Sequence, residues 1–359
     1  MGRFGSVGQL SLAALISLGL LWANGMAWAQ TIADGDALSA GMTVEAIKDR
    51  GLLKCGVNVG LAGMSSVDPQ GNWVGFDADF CRAVAAGVLG DGELVEFVPL
   101  SASVRLQALT EGAVDLLARN TTWTLKRDAG MGLSFPGVSV YDGQGLLVWN
   151  STPGEKAKDL PAGTRVCLQS NTTTARNIED VIKARNLPLV PVFHNNLNDA
   201  RAGFFQMECQ AYTGDRTALA SLVMAEAPRA RDIRILPDVL SKEPLGPVVR
   251  EGDDRWFDIV RWTLNALIQA EEYGLTRANV DQVAAKASNP PLRRFLGEDP
   301  GVGASLGLDD HWVRRVISQV GSYGEIFQKN LGDESPLRLD RGLNKLWTEG
   351  GLLYSPPFL

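Results

Sequence analysis

Histidine is almost missing from this chain: His194 and His311 are the only two in 359 residues. The four cysteines, Cys55, Cys81, Cys167 and Cys209, include no C-x-x-C pair, and this inventory argues against a zinc site. Basic residues are outnumbered, 34 Lys and Arg against 41 Asp and Glu, for a formal net charge of −7. Such a chain lacks the positive surface that nucleic acid or an anionic membrane demands, so no nucleic-acid partner is expected. Beyond the N-terminus no apolar run approaches the ~20 residues of a membrane span. There is no P-loop, and Gly301-x-Gly303 lacks the preceding strand that a dinucleotide fingerprint requires. Neither a cofactor nor a metal is expected.

Gly303-Ala304-Ser305-Leu306-Gly307 fits the G-x-S-x-G of a nucleophile elbow. A turn, Gly297-Glu298-Asp299-Pro300, precedes it where an elbow needs a strand, and His311 follows too closely with no intervening acid arrangement. The segment reads as a loop.

What is present begins with a leader. Arg3 supplies a positive charge, an apolar stretch runs from Leu10 to Leu21, and Ala27-Trp28-Ala29 is a small-x-small cleavage signature. That order is a secretory signal peptide, here residues 1–29, because its apolar core is too short to span a bilayer. No Cys follows the cleavage site, so a lipid anchor is not expected. The ~330 residues that remain suit two domains. An even cysteine count in an exported chain implies disulfides.

Beyond Gly51, strand and helix patterns alternate. Leu52 to Asn58 reads as a strand, with a short hairpin strand near Trp73 to Phe76. Apolar positions 80, 83, 84, 87 and 88 have helical spacing, and Gly90 suits the helix end. Leu94–Val98 is a strand, Ser103 can cap a helix to Glu111, and Ala113–Ala118 is the next strand. The pattern recurs: strands at 164–168, 189–193 and 209–213, helices at 173–186, 197–207 and 216–225, then a helix from Asp254 to Tyr273. Two βαβαβ units joined by extended segments predict an α/β protein with two mainly parallel sheets and a cleft between them. Ligands of such sheets gather beyond the strand carboxyl ends. There the first unit offers Asn58, Ser101 and the run Arg119-Asn120-Thr121-Thr122. The second offers Gln169-Ser170-Asn171-Thr172-Thr173, Asn195-Asn196 and Gly214-Asp215. Taken singly these are turn formers and helix caps; taken together they suit a small polar solute.

Val114-Asp115-Leu116 through Thr122-Trp123-Thr124-Leu125-Lys126-Arg127 resembles the polar amino-acid solute-binding family of ABC transporters, as do Gly75-Phe76-Asp77-Ala78-Asp79 and Gly321-Ser322-Tyr323-Gly324-Glu325-Ile326-Phe327. The general L-amino-acid-binding subfamily is closer still. It shares Arg119–Thr124, Tyr141-Asp142-Gly143-Gln144-Gly145 and the tail from Leu346-Trp347 to Pro356-Pro357. The resemblance implies a type II periplasmic-binding fold with a two-strand hinge. Lobe 1 would be 30–142 plus 250–359 and lobe 2 146–246, with crossings at 143–145 and 247–249. It also implies a periplasmic monomer that captures L-amino acids for an inner-membrane ABC permease complex.

Carried over by position, Arg127 falls on the grip for the ligand α-carboxylate. Asn120 and Thr122 fall on contacts to the ammonium and carboxylate, Thr173, beside Thr172, on a helix-start carboxylate contact, and Asp215 on the ammonium-binding acid. An arginine fork matches a carboxylate, and free N–H groups at a helix start favour an anion. The bland alternatives are an ion pair of Arg127 with Asp128 or Asp115, and helix capping by Asp215. Asn58, Ala102 and Gln169 stand where narrower relatives carry an acid, an aromatic and a lysine, so the side-chain pocket reads as neutral and the specificity as broad. An amino-acid-processing enzyme on this fold would need a base near the ligand α-carbon, and only Asp215 is available. A sensor module is the other alternative. A disulfide across the lobes would lock the hinge, so Cys55 is expected to pair with Cys81 and Cys167 with Cys209.

Overall fold

The computed structural model describes residues 1–2, 41–226 and 230–359. The leader expected over 1–29 lies outside them apart from its first two residues. In chain order the first lobe holds α1 (Met42–Arg50), β1 (Leu53–Asn58), β2 (Ser66–Val67), β3 (Trp73–Val74), α2 (Phe76–Leu89), β4 (Val95–Leu100), α3 (Arg105–Thr110), β5 (Leu116–Thr122), α4 (Leu125–Asp128) and β6 (Leu133–Ser134). The long strand β7 (Val140–Trp149) leads out of it. The second lobe holds β8 (Thr164–Gln169), α5 (Thr173–Arg185), β9 (Leu189–His194), α6 (Leu197–Phe205), β10 (Ala211–Asp215), α7 (Arg216–Ala225) and β11 (Ile233–Ile235). Strand β12 (Lys242–Arg250) returns, and α8 (Asp254–Glu272), α9 (Val280–Lys286), α10 (Pro290–Phe295), α11 (Trp312–Val320) and α12 (Tyr323–Asn330) complete the first lobe.

The strand order is β4-β1-β5-β12-β7-β10-β8-β9. Each lobe repeats one plan: its first strand lies between its second and third, and a crossing strand runs antiparallel beside the third. Pairing within the βαβ units is parallel, as their helical crossovers require. The crossing strands join the two halves into one continuous ladder, pairing Val140–Gly143 with Lys242–Leu245. Strand β7 then pairs with β10 from Gln144 onward. Strand β12 turns to β5 at Leu245 and Gly246 and reaches Leu117 through Val248. Val248 and Val249, within the crossing expected at 247–249, pair with β5 and β6.

Side-chain alternation builds the smaller lobe. Leu146 and Val148 of β7 join Val166 and Leu168 of β8 on one face, while Leu147 and Cys167 point to the other beside Phe204. Lobe 1 has a larger core, in which β1 and α2 pack against Trp256 and Ile259 of α8 and Trp312 and Val316 of α11. Helix α2 ends at Gly90, whose φ of 87° is the left-handed cap expected there. The segment between Tyr273 and His311 extends this core: Phe295 is fully buried and meets Tyr273 and, from the tail, Phe358 edge to face. Gly303–Gly307 forms a short 3-10 turn, not a strand-to-helix elbow.

Two expectations shift. Ser103 does not cap α3; its hydroxyl meets that of Ser101, and Val104 occupies the cap position. The run Arg119–Thr122 is no loop but the last four residues of β5, because Thr121 and Thr122 pair with Gly246 and Leu245, more than a hundred residues away in sequence. The disulfides are Cys55–Cys81, tying β1 to α2, and Cys167–Cys209, each within one lobe.

Candidate functional site

Four strands end at the cleft, and each brings one polar residue: Asn58 on β1, Thr122 on β5, Gln169 on β8 and Asp215 on β10. All four line one cavity of about 90 Å³ between the lobes, together with Asn120, Thr172 and Thr173. Gathering at strand carboxyl ends is what open α/β sheets provide.

The kink in β5 organises the floor. Asn120 has φ of 35°, a left-handed conformation that asparagine tolerates better than most residues. Its N–H donates to Asp77 at 2.9 Å, its side-chain oxygen accepts from Asn58 at 2.9 Å, and its amide nitrogen reaches Asp215 at 3.4 Å. Asp77 sits in the first turn of α2, behind Gly75, whose φ of 122° and close approach to the Met64 carbonyl leave no room for a Cβ. Burial raises the Asp77 carboxyl to about 7, opposed by the Asn120 N–H and by the Arg119 charge.

Across the cleft, Thr172 caps α5 by accepting from the Ala175 N–H at 3.1 Å. The other first-turn N–H groups of α5, at Thr173 and Thr174, have no acceptor within the helix and lie at the cavity wall. The hydroxyls of Thr122 and Thr173 meet at 3.1 Å, and Thr122 also donates to Glu243 at 2.7 Å. Glu243, fully buried on β12, further accepts from Ser241 at 2.8 Å and from Asn177 of α5 at 2.7 Å. With the contact of Asn120 to Asp215, these bonds hold the two lobes together across the cleft.

Asp215 does not cap α7 with its side chain. Its carboxyl is pushed well up by burial and then by the nearby Asp142 and Glu243 charges, with the Asn120 hydrogen bond and Arg105 pulling the other way. Among the described residues it has no ion pair within 4 Å.

Arg127 stands apart from the wall. It is buried, its Nη1 donates to the Thr122 carbonyl at 2.7 Å, and burial lowers its pKa against the supporting charges of Glu243 and Asp215. It pairs with neither Asp115 nor Asp128: Asp115 pairs with Arg50, and Asp128 accepts from the Trp123 ring N–H. The arginines on the wall are Arg105, Arg119 and Arg201. Asn58, Ala102 and Gln169 are there too and neutral as read, but these cations beside them change the character of the pocket. Arg119 was visible in the β5 run. Arg105 carried one local sign, a cation at the positive start of a helix, where the dipole disfavours it. Arg201, midway along α6, carried none.

Residues 53–278 match the family of bacterial extracellular solute-binding proteins, family 3. The chain belongs to that family. Membership gives the chain a solute-binding role and not a catalytic one. The general L-amino acid-binding periplasmic protein AapJ of Rhizobium johnstonii is 46% identical over 91% of this chain and 95% of its own length. The glutamate/glutamine/aspartate/asparagine-binding protein BztA of Rhodobacter capsulatus is 47% identical over 88% of this chain and 93% of its own. Among solved structures, a periplasmic binding protein of an ABC transporter from Brucella ovis, with glutathione bound, superposes with a TM-score of 0.85 at 44% identity, covering 88% of this chain and 99% of that one.

Proposed function

We propose that this family 3 solute-binding protein captures free L-amino acids in the periplasm with broad specificity and delivers them, as a monomer, to an inner-membrane ABC permease complex. The relatives support the compartment and the ligand class: AapJ is named for general L-amino acid binding and BztA for four amino acids. The observation that carries the reading is Asp215, a half-buried carboxylate at the cavity wall with no cation paired to it among the described residues. A ligand ammonium supplies the missing charge. The ligand α-carboxylate meets the N–H groups at the start of α5 and the hydroxyls of Thr122 and Thr173, with Arg127 adding its charge from behind Thr122. These groups recognise the part common to all amino acids, and Asn58, Asn120 and Gln169 complete the polar lining.

The test is calorimetric titration with glutamate, glutamine, leucine and histidine. Binding of several is expected. Measurable binding of one alone would rule out the broad reading, and binding of none would rule out amino-acid capture.

A further inference from the structure

Glu243 lies behind the cavity wall, and its contacts divide between its two oxygens. Oε1 accepts from the Asn177 amide at 2.7 Å and from the Ser241 hydroxyl at 2.8 Å. Oε2 meets the Thr122 hydroxyl at 2.7 Å. That hydroxyl holds a single proton and also lies 3.1 Å from the Thr173 hydroxyl at the wall. While Glu243 is ionised it can only accept, so Thr122 gives its proton backward to Oε2, and the contact with Thr173 is made by the Thr173 proton. The row Thr173, Thr122, Glu243 then points its protons away from the cavity and turns oxygen lone pairs toward an incoming carboxylate. Thr173 can turn its own proton round only by losing its bond to Thr122, which remains an acceptor. A proton on Oε2 reverses the row: Thr122 accepts from Glu243 and is free to donate into the cavity.

We infer that Glu243 is a positioning residue for the ligand α-carboxylate: it takes up a proton on Oε2 as the ligand enters and so turns the Thr122 hydroxyl into a donor. Oε1 keeps both of its bonds in the process. The charges that face Glu243 are Asp142, its partner in the β7–β12 ladder, Asp215 of β10 and Arg127 of α4, with Arg176 of α5 acting on Arg127. Burial and Asp142 favour the neutral acid, whereas the Thr122 and Ser241 bonds and Arg127 favour the carboxylate; the balance holds its pKa above the usual 4.5. An incoming carboxylate one hydroxyl away moves that balance further toward the neutral acid. The inference rests on amino-acid capture as proposed above.

Calorimetric titration of the full mature chain with glutamine and leucine, whose only carboxylate is the α-carboxylate, tests it in buffers of equal pH and different ionisation enthalpy. The dependence of the binding heat on the buffer counts the protons taken up. Glu243→Gln is the informative variant, because its amide oxygen can serve Ser241 and Asn177 while its N–H donates to Thr122 as the neutral acid does. The unaltered protein is expected to take up more protons than this variant, by up to about one per ligand bound. Protons exchanged at Asp142 or Asp215 occur in both proteins and drop out of the difference. The affinity of the unaltered protein should be level below the pKa of the ligand-free Glu243 carboxyl and fall between it and the higher ligand-bound value, by up to about tenfold per pH unit. Glu243→Gln should keep the low-pH affinity throughout. Thr122→Val, which removes the hydroxyl between Glu243 and the ligand, should lose the excess uptake too, and it serves as the test if Glu243→Gln folds poorly. Equal proton counts and parallel affinity profiles in the unaltered protein and Glu243→Gln would overturn the inference, as would full uptake by Thr122→Val. Binding of glutamine and leucine without that difference sinks only the proton uptake at Glu243. Binding of neither sinks the capture reading with it.

Discussion

Asp215 has one side-chain hydrogen bond, from Asn120, and sits near the carboxylates of Asp142 and Glu243. Removing its charge relieves that repulsion while deleting the partner of the ligand ammonium. Asp215→Asn should therefore melt no lower than the unaltered protein yet lose affinity by about 2–5 kcal/mol, seen by pairing calorimetric titration with a melting curve. Arg127→Ala should stay folded and lose most binding; near-normal affinity would show that the wall arginines alone serve the carboxylate. Asp77 makes a separate prediction about pH. Its folded pKa of about 7 lies above the ordinary 3.8. Stability from the neutral acid is thus full below about pH 4 and lost as pH rises through about 7, with a limiting slope of about 1.4 kcal/mol per pH unit. Denaturant unfolding between pH 4 and 8 should show that decline in the ligand-free protein and a flatter profile in Asp77→Asn. At this scale the chain was readable where a residue's role is local. Asn58, Gln169 and Asp215 lie at or just past strand ends that the pattern marks and could be placed from it. Glu243 could not: it reaches Thr122 and Asn177 only because β12 returns from the second lobe.

Strand β5 shows the same limit for an element. Its local signal stops at Ala118, yet it extends to Thr122 because β12 supplies hydrogen-bond partners from a distant part of the chain. By contrast α7 and α8 begin where the sequence placed them, at Arg216 and Asp254, since caps and amphipathic spacing are local. The disulfide Cys167–Cys209 links residues 42 apart and holds β8 to the entry of β10. Replacing both cysteines by Ser should cost about 2–4 kcal/mol through the loop freed in the unfolded chain. Since both cysteines lie away from the cavity wall, affinity at saturating folded protein should change little. A double variant with unchanged denaturation midpoint would contradict this.

Over the whole molecule, the tail bears on the hinge. Asn344 accepts from the Tyr141 N–H at 2.7 Å and donates back to the Tyr141 carbonyl at 3.0 Å, two residues before the β7–β12 pairing ends at Gly143. Arg341 fixes this segment through Glu271 and the Asn344 carbonyl. Asn344→Ala leaves two backbone groups of the crossing strand without partners, so a loss of about 1–3 kcal/mol is expected. Ligand should compact the molecule, because it binds the closed arrangement better than the open one. Small-angle scattering with and without saturating ligand should show a smaller radius of gyration in its presence; identical profiles would mean that the lobes stay closed without it.

The chain by itself determined the two βαβαβ units and most of the polar strand ends, because periodicity, capping and strand termini are set by neighbours in sequence. Only the tertiary structure decided where the crossing strands change partners, that Arg127 lies behind Thr122, and that Arg105 and Arg201 face one cavity. Those facts depend on β12 pairing with β7 and with β5, and on α3 and α6 lining one cavity, contacts between segments far apart in the chain, where local propensity carries no information.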